Sequence, residues 1–358
     1  MVLSFINNSS STHQKSQKIE LSIHIAMNNQ IIRWGIIGTG RIARAFADGL
    51  GYTQNGKLCA TASRNLKKAR VFAQEWNIPY AFGTYEELAQ SDEVDAVYIA
   101  TPHSAHAENA ILCMRNQKAV LCEKPFAVNA KEVETMIRVS KEENVLLMEG
   151  MWSRFPPLMN KLRDWLKEGK LGEIRTLHAD FGFLPKIKDP DGRLFNLELA
   201  GGSLLDLGIY PVSLASMVLG KPTDLQTLAN MGNTGVDEQA AWIFRYSNGA
   251  LAVLLSSLEC ETRQEAFIAG SIGNVRIHKQ CWKPQKMTFT ETNTEKSETV
   301  EMPFEGNGFN YEAESFASLL LEGKKESPIM PLDESLQIMQ QMDKMRKEWP
   351  LSYPMDTR

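Results

Sequence analysis

The sequence predicts an α/β protein of two units, a doubly wound parallel sheet followed by an α+β unit with an open, largely antiparallel sheet. Three features carry that reading. Apolar runs alternate with helical periodicity from Ile31 to roughly residue 150, the pattern of right-handed crossovers in a parallel sheet. A glycine turn, Gly38-Thr39-Gly40-Arg41-Ile42-Ala43, joins the first strand to the first helix. Beyond it the rhythm changes to hairpin signals such as Ser247-Asn248-Gly249 and Gly273-Asn274. A chain of 358 residues is too long for one ordinary core and comfortable for two, and two units make a cleft.

In chain order, strands are expected at 31–37, 57–62, 96–100, 119–122 and 145–148, with helices at 42–50, 66–76, 105–116 and 130–143. Asn129 and Glu132 form a capping box at the start of the last of these helices. Residues 31–150 thus make a dinucleotide-binding unit and 151–358 a substrate-binding and dimerisation unit. The second unit opens on a long strand at 173–183, then hairpins over 242–258 and 267–278, and strands at 287–290 and 298–304. Helices at 203–219 and 311–322 are expected to cover one face of this sheet, and a third at 332–349 closes the chain, free to pack back on the first unit. The hairpin faces carrying Trp242, Phe244 and Leu251 are too apolar for water, which predicts a homodimer stacked through this sheet. Residues 1–30, rich in Ser, Asn and Gln, read as a poorly ordered extension, with Met27 an alternative start.

The formal charge of -4 offers no basic field for nucleic acid, so a small-molecule substrate is expected. Cys59, Cys113, Cys122, Cys260 and Cys281 form no C-x-x-C pair, which argues against a zinc site or a disulfide framework and for the reduced cytoplasm. No apolar run reads as long enough, at roughly 18 residues, to span a membrane.

The glycine turn matches G-x-G-x-x-A: Gly38 makes the turn, Gly40 admits a pyrophosphate, and Ala43 lets helix and strand approach. This is the Rossmann arrangement, with Thr39, Arg41 and Ile42 presenting backbone amides to phosphate. After the second strand comes Ala62-Ser63-Arg64, followed by Lys67 and Lys68, with no carboxylate to repel a 2'-phosphate. A hydroxyl and a guanidinium there suit NADP in preference to NAD.

Lys124 follows Cys122-Glu123 at the end of a buried strand, where open α/β sheets bind ligands, and Pro125 biases it to an extended backbone. Downstream, Asp206 and Tyr210 stand four apart on one helical face, and Pro211 is expected to bend the helix beside the tyrosine. The plainer account makes Ser203 the helix cap, Asp206 its N3 residue and Tyr210 a core side chain. His103 either orients a cofactor or caps the next helix, and His178 reads as core or interface, with no metal site implied.

These motifs together resemble the family of glucose-fructose oxidoreductase, inositol dehydrogenase and MocA, from about Ile31 to the C-terminus. Tyr210 stands where the family usually has His. That departure, with Met151-Trp152-Ser153-Arg154-Phe155 and Gly308-Phe309-Asn310-Tyr311-Glu312-Ala313-Glu314, resembles the branch of dimeric dihydrodiol dehydrogenases and NADP-dependent D-xylose dehydrogenases. The resemblance implies Lys124 and Tyr210 as catalytic residues and Trp152, Phe181, Asp206 and Phe309 as pocket lining. It also implies a cofactor-side loop of Thr101, Pro102, His103 and His106, with Glu123 beside it. In that scheme Lys124 lowers the Tyr210 phenol from its usual value near 10, so that phenolate takes a substrate proton during oxidation. The substrate classes are cyclic polyols, aldoses and trans-dihydrodiols. A non-catalytic NADP sensor and a nicotinamide-dependent glycosidase of the same fold are the alternatives.

Overall fold

A computed structural model of the chain describes residues 30–357; apart from Gln30, the extension read at the N-terminus lies outside them. The first sheet contains β1 (Ile32–Ile37), β2 (Gly56–Ala62), β3 (Tyr80–Phe82), β4 (Ala96–Ile99), β5 (Ala119–Glu123) and β6 (Leu147–Gly150). Its order is β3-β2-β1-β4-β5-β6 and every pairing is parallel. All of β4 and β5 is buried, as sheet centres covered on both faces must be, which is why these strands read as continuous apolar runs. Strand order reverses between β1 and β4, so their carboxyl ends open the crevice where doubly wound sheets hold ligands.

The connecting helices are α1 (Arg41–Leu50), α2 (Leu66–Glu75), α3 (Tyr85–Ala89), α4 (His106–Arg115) and α5 (Ala130–Glu143). From α1, Phe46 stacks on Tyr98 of β4 with centroids 3.6 Å apart, a contact worth about 1 kcal/mol beyond its buried area. Asn129 caps α5 by accepting from the Glu132 amide at 2.9 Å. Glu132 reaches back to the Val128 amide, one residue beyond the expected box. The reciprocal box occurs at α3, between Thr84 and Glu87.

After α6 (Pro157–Lys167) the second sheet is built from β7 (Ile174–Gly182), β8 (Asp224–Met231), β9 (Asp237–Arg245), β10 (Leu251–Ser257), β11 (Ala266–Gly270), β12 (Gly273–Ile277), β13 (Lys286–Glu291) and β14 (Ser297–Glu301). Its order is β14-β13-β12-β11-β7-β10-β9-β8, antiparallel except for the β7/β10 pair. The second hairpin turns at Ser271-Ile272, not at Gly273-Asn274, which begin β12.

Three helices complete the chain: α7 (Ile209–Leu219), α8 (Phe309–Leu321) and α9 (Leu332–Lys347). As expected, α7 packs on the second sheet, against β7 and β10. By contrast, α8 lies against α1 and β2, with Phe316 5.0 Å from Trp34, so it covers the first sheet and not the second. Helix α9 packs on α5 and α7, and Asp343 caps α5 from outside by accepting the Ala130 amide at 2.8 Å. The stretch Leu197–Leu219 is long and apolar enough to pass for a membrane span, contrary to the sequence reading, but its most apolar 18 residues are 72% buried within the fold.

Trp242 and Phe244 also depart from expectation. They point inward, 2% and 1% exposed, while their neighbour Ile243 points outward with Leu251 and Val253. His178 lies on that outer face, between Val253 and Phe267 in the strand register.

Candidate active site

Lys124 stands one residue past β5, on a cis bond to Pro125. Its Nζ donates to the Asp206 carbonyl at 2.8 Å and to Asp206 Oδ1 at 3.2 Å, and lies 4.8 Å from the centroid of the Tyr210 ring. Burial alone would depress the ammonium, but Tyr210, Asp206 and Glu123 outweigh it and hold Lys124 above its ordinary value.

The helix bearing Asp206 and Tyr210 does not start as a regular α-helix. Residues Leu204–Gly208 form a π turn in which the Ile209 amide reaches the Leu204 carbonyl, and α7 follows directly. The wide turn precedes Pro211, which falls in the first turn of α7, where its missing amide is tolerated. Ser203 does not cap it. The Ser203 hydroxyl and the Leu204 amide both donate to Asp237 Oδ2, at 2.8 and 2.7 Å, so the cap comes from β9.

Asp206 is the hub of the site. Its Oδ1 accepts from Lys124 and from Arg193 Nη1 at 2.8 Å, with His103 Nε2 3.9 Å away. Burial would raise this carboxyl, but Lys124 and Arg193 hold it far below the usual carboxylate range. Tyr210 accepts a hydrogen bond from Trp152 Nε1 at 2.8 Å. Its phenol is held above its ordinary value, because burial outweighs the Lys124 charge. The direction is therefore opposite to the sequence expectation.

Aromatic rings wall this hub. Trp152 stacks on Phe309 at 4.8 Å, and Phe181 lies 5.6 Å from Tyr210. All four predicted lining residues, Trp152, Phe181, Asp206 and Phe309, are brought together around Lys124 and Tyr210 by these contacts. Two further residues belong to the site: Trp282 stacks on Phe181 at 3.6 Å, and Arg193 binds Asp206.

At the other end of the crevice, Gly38 has φ +105 and any Cβ there would meet the Ala100 carbonyl at 2.6 Å, so only glycine fits. Gly40 has open space where a Cβ would be; it begins α1 without a side-chain cap or an acid in the first turn. That is a cradle for an anion. Thr39 accepts from Arg44 through its carbonyl at 2.7 Å, while Arg41 is exposed and Ile42 partly buried. Ser63 is buried behind exposed Arg64, and Asn65 caps α2 through the Lys67 and Lys68 amides at 3.0 and 3.3 Å. No carboxylate stands among residues 63–68.

The cofactor-side loop divides in two. Thr101 lies two residues past β4, and Pro102 leads into a tight turn at His103–Ala105. His106 is 1% exposed with its ring nitrogens 2.8 Å from the Pro125 carbonyl and 3.0 Å from the Thr101 carbonyl, which makes it a brace between the two loops. His103 neither caps α4 nor faces solvent; its Nδ1 lies 3.0 Å from the Ala200 carbonyl of the second unit. Burial holds both rings neutral, His103 down to about 3 and His106 to about 4.

Family models match both halves of the chain. Residues 32–151 match an oxidoreductase family with an NAD-binding Rossmann fold, and residues 159–276 match the GFO/IDH/MocA C-terminal domain. The chain belongs to the Gfo/Idh/MocA oxidoreductase family. Among its members, the trans-1,2-dihydrobenzene-1,2-diol dehydrogenase of Mus musculus is 37% identical over 343 residues, covering 91% of this chain and 99% of that protein. The enzyme of the same name from Homo sapiens is 35% identical with the same coverage. Solved Gfo/Idh/MocA-like structures include a 3-ketoreductase from Actinomadura kijaniata in complex with NADP and TDP-benzene, at TM-score 0.78 and 27% identity, covering 89% of this chain and 98% of that one. An aldose-aldose oxidoreductase from Caulobacter crescentus complexed with glycerol matches at TM-score 0.80 and 25% identity, covering 89% and 97%.

In this Gfo/Idh/MocA chain Glu123 turns inward, beneath Lys124. It accepts from the Tyr98 hydroxyl and from the Lys124 amide, and burial pushes it up to about 7. Glu312 of α8 is fully buried with neither carboxylate oxygen hydrogen-bonded, and is held well above the ordinary carboxylate value by burial and by Glu123.

Proposed function

We propose that this oxidoreductase is an NADP-dependent dehydrogenase that interconverts a carbinol and a carbonyl on a trans-dihydrodiol, with cyclic polyols and D-xylose-like aldoses as the related substrates. One observation carries the reading: a largely buried ammonium, Lys124, packed on the ring of a partly buried phenol, Tyr210, at the carboxyl end of the sheet that begins with the dinucleotide turn. Identity to trans-dihydrodiol dehydrogenases over almost the whole chain supports the dihydrodiol, and the absence of an acid after β2 supports the 2'-phosphate.

The residues fit a nicotinamide dinucleotide. Gly38, Gly40 and the α1 amides would hold its pyrophosphate, and Ser63, Arg64 and Lys68 its ribose phosphate. When bound, that group supplies or accepts the hydride. Tyr210 moves the proton: its phenol donates to the carbonyl oxygen in reduction and, ionised, takes the hydroxyl proton in oxidation. Lys124 places a positive charge beside the same oxygen, and Asp206 orients Lys124. Trp152 donates to the Tyr210 oxygen and so favours the phenolate. The aromatic walls Trp152, Phe181, Phe309 and Trp282 keep water away and present flat faces to a carbocycle.

The test is a panel of dihydrodiols, polyols and aldoses with NADP, run on the wild type and on Tyr210→Phe. The expected result is turnover of the dihydrodiol by the wild type and a loss of about 10²–10⁴ in kcat for the variant. A variant that keeps full kcat with normal substrate binding would remove Tyr210 from the chemistry.

A further inference from the structure

Arg193 does not belong to the dinucleotide turn, the β5 end or the α7 start. It comes from the long connection between β7 and the π turn, residues 183–203, and delivers a guanidinium to Asp206 Oδ1 at 2.8 Å. Asp206 has a side chain only 7% exposed and already holds Lys124; Arg193 is 45% exposed. The connection is pinned on the C-terminal side of this contact. Phe195 packs with Phe181, Leu207 and Leu258, the Ala200 carbonyl meets His103, and the Gly201 carbonyl accepts from the Tyr353 hydroxyl.

We propose that Arg193 is a positioning residue that shares the charge of Asp206, so that less of the Lys124 charge is neutralised by that carboxylate and more of it acts on the Tyr210 oxygen and the substrate oxygen. One carboxylate facing one ammonium is neutral overall, and the field at Tyr210 would then be weak. The Arg193 guanidinium makes the site one charge more positive, and a more positive site favours phenolate. The groups facing Asp206 are Lys124 from β5, His103 from the turn after β4, Arg193 from the connection and Tyr210 from its own helix; Glu123 lies below. Among them Lys124 and Arg193 are the cations, because burial keeps His103 uncharged; above the Glu123 value of about 7 they face two carboxylates, Asp206 and Glu123, so that without Arg193 the site is net negative where Tyr210 titrates. A loop residue thereby sets the proton affinity of a phenol it does not touch.

This inference rests on Tyr210 as the acid-base group, and the test separates the two. The readout is the ultraviolet absorbance of ionising tyrosine in the cofactor-free protein, titrated from neutral to alkaline pH, with the Tyr210→Phe titration subtracted to isolate Tyr210. Arg193→Gln and Arg193→Met are expected to move this titration up by about 0.5–1 pH unit, and the alkaline limb of oxidation with it. Arg193→Lys keeps the charge and is expected to restore both. A uniform loss of rate in the neutral variants with neither titration moved would overturn the positioning role and make Arg193 a structural tie. If Tyr210→Phe retains full activity, the acid-base assignment itself fails, whatever Arg193 does.

Discussion

At the residue scale the chemistry depends on how burial and charge compete at one phenol. Burial wins at Tyr210 in the free protein, so the phenol stays protonated at neutral pH and is ready to donate. Oxidation needs the ionised form, so its rate is expected to rise with pH throughout the range from about 7 to 10, while reduction stays level there and falls only as pH passes the raised value of the phenol. Trp152 donates to the phenol oxygen and favours phenolate. Trp152→Phe removes that N–H while keeping a ring for Phe309, and is expected to push the alkaline limb of oxidation higher by about 0.5 unit or more. A pH–rate profile that superimposes on the wild type would show that the Trp152 bond has no electrostatic role.

Other residues show the same competition with the opposite reading for stability. Glu123 and Glu149 are pushed up to about 7, Asp237 to about 6, and Glu312 higher still, in each case chiefly by burial. A carboxyl that binds its proton more tightly folded than unfolded stabilises the protein below its unfolded value, and that stability is lost as pH rises through the folded value. Asp206 acts in reverse, losing its contribution only as pH falls below about 4. The melting temperature is therefore expected to fall between about pH 5 and pH 7.5, with each raised acid contributing up to about 1.4 kcal/mol per pH unit. Glu312→Gln, which cannot ionise, should flatten the slope. A melting temperature that climbs through that window would contradict the assigned protonation states.

At the element scale the two glycines of the first turn separate fold from function. Gly38 has a positive φ and faces the Ala100 carbonyl, so Gly38→Ala is expected to destabilise the protein by about 1–3 kcal/mol as well as impair cofactor binding. Gly40 has φ -80 and open space, so Gly40→Ala should leave the melting temperature of the cofactor-free protein unchanged and still weaken NADP binding. Calorimetry and a cofactor titration on both variants check this; equal destabilisation by the two would mean that the turn is purely structural.

What the sequence made legible has the same local character. The glycine turn, Lys124 after its strand, and the Asp206–Tyr210 pair are short-range spacings, and the last two meet through Lys124, which reaches Asp206 and the Tyr210 ring. Arg193 and Trp282 stand in connections without periodicity, where no spacing announces that a side chain reaches back to the site. Edge strand β8 escaped notice because it alternates only between half-buried and exposed, without a strong apolar face. The amphipathic pattern of α8 shows that it has a face to bury but not which sheet receives it, and the depth that raises the Tyr210 phenol is a property of the assembled molecule.

At the scale of the whole molecule, an apolar stripe crosses the outer face of the second sheet. Ile243, Val253 and Phe267 lie in one line of the strand register and Leu228 and Leu251 beside it, all between 38% and 81% exposed. A homodimer that stacks two such faces follows as a proposal, with inward-facing Trp242 and Phe244 reserved for the subunit's own core. Sedimentation of the wild type should report a dimer and Val253→Glu a monomer of unchanged fold; a monomeric wild type would leave the stripe without its partner.

The central claim is that Tyr210 carries the proton under the charge of Lys124, and the pH dependence of turnover in both directions tests it most directly. In the wild type, oxidation with NADP should rise and reduction with NADPH should fall through one shared alkaline midpoint, and Tyr210→Phe should abolish both limbs along with most of the rate. Limbs that survive intact in Tyr210→Phe, at undiminished rate, would show that another group holds the proton.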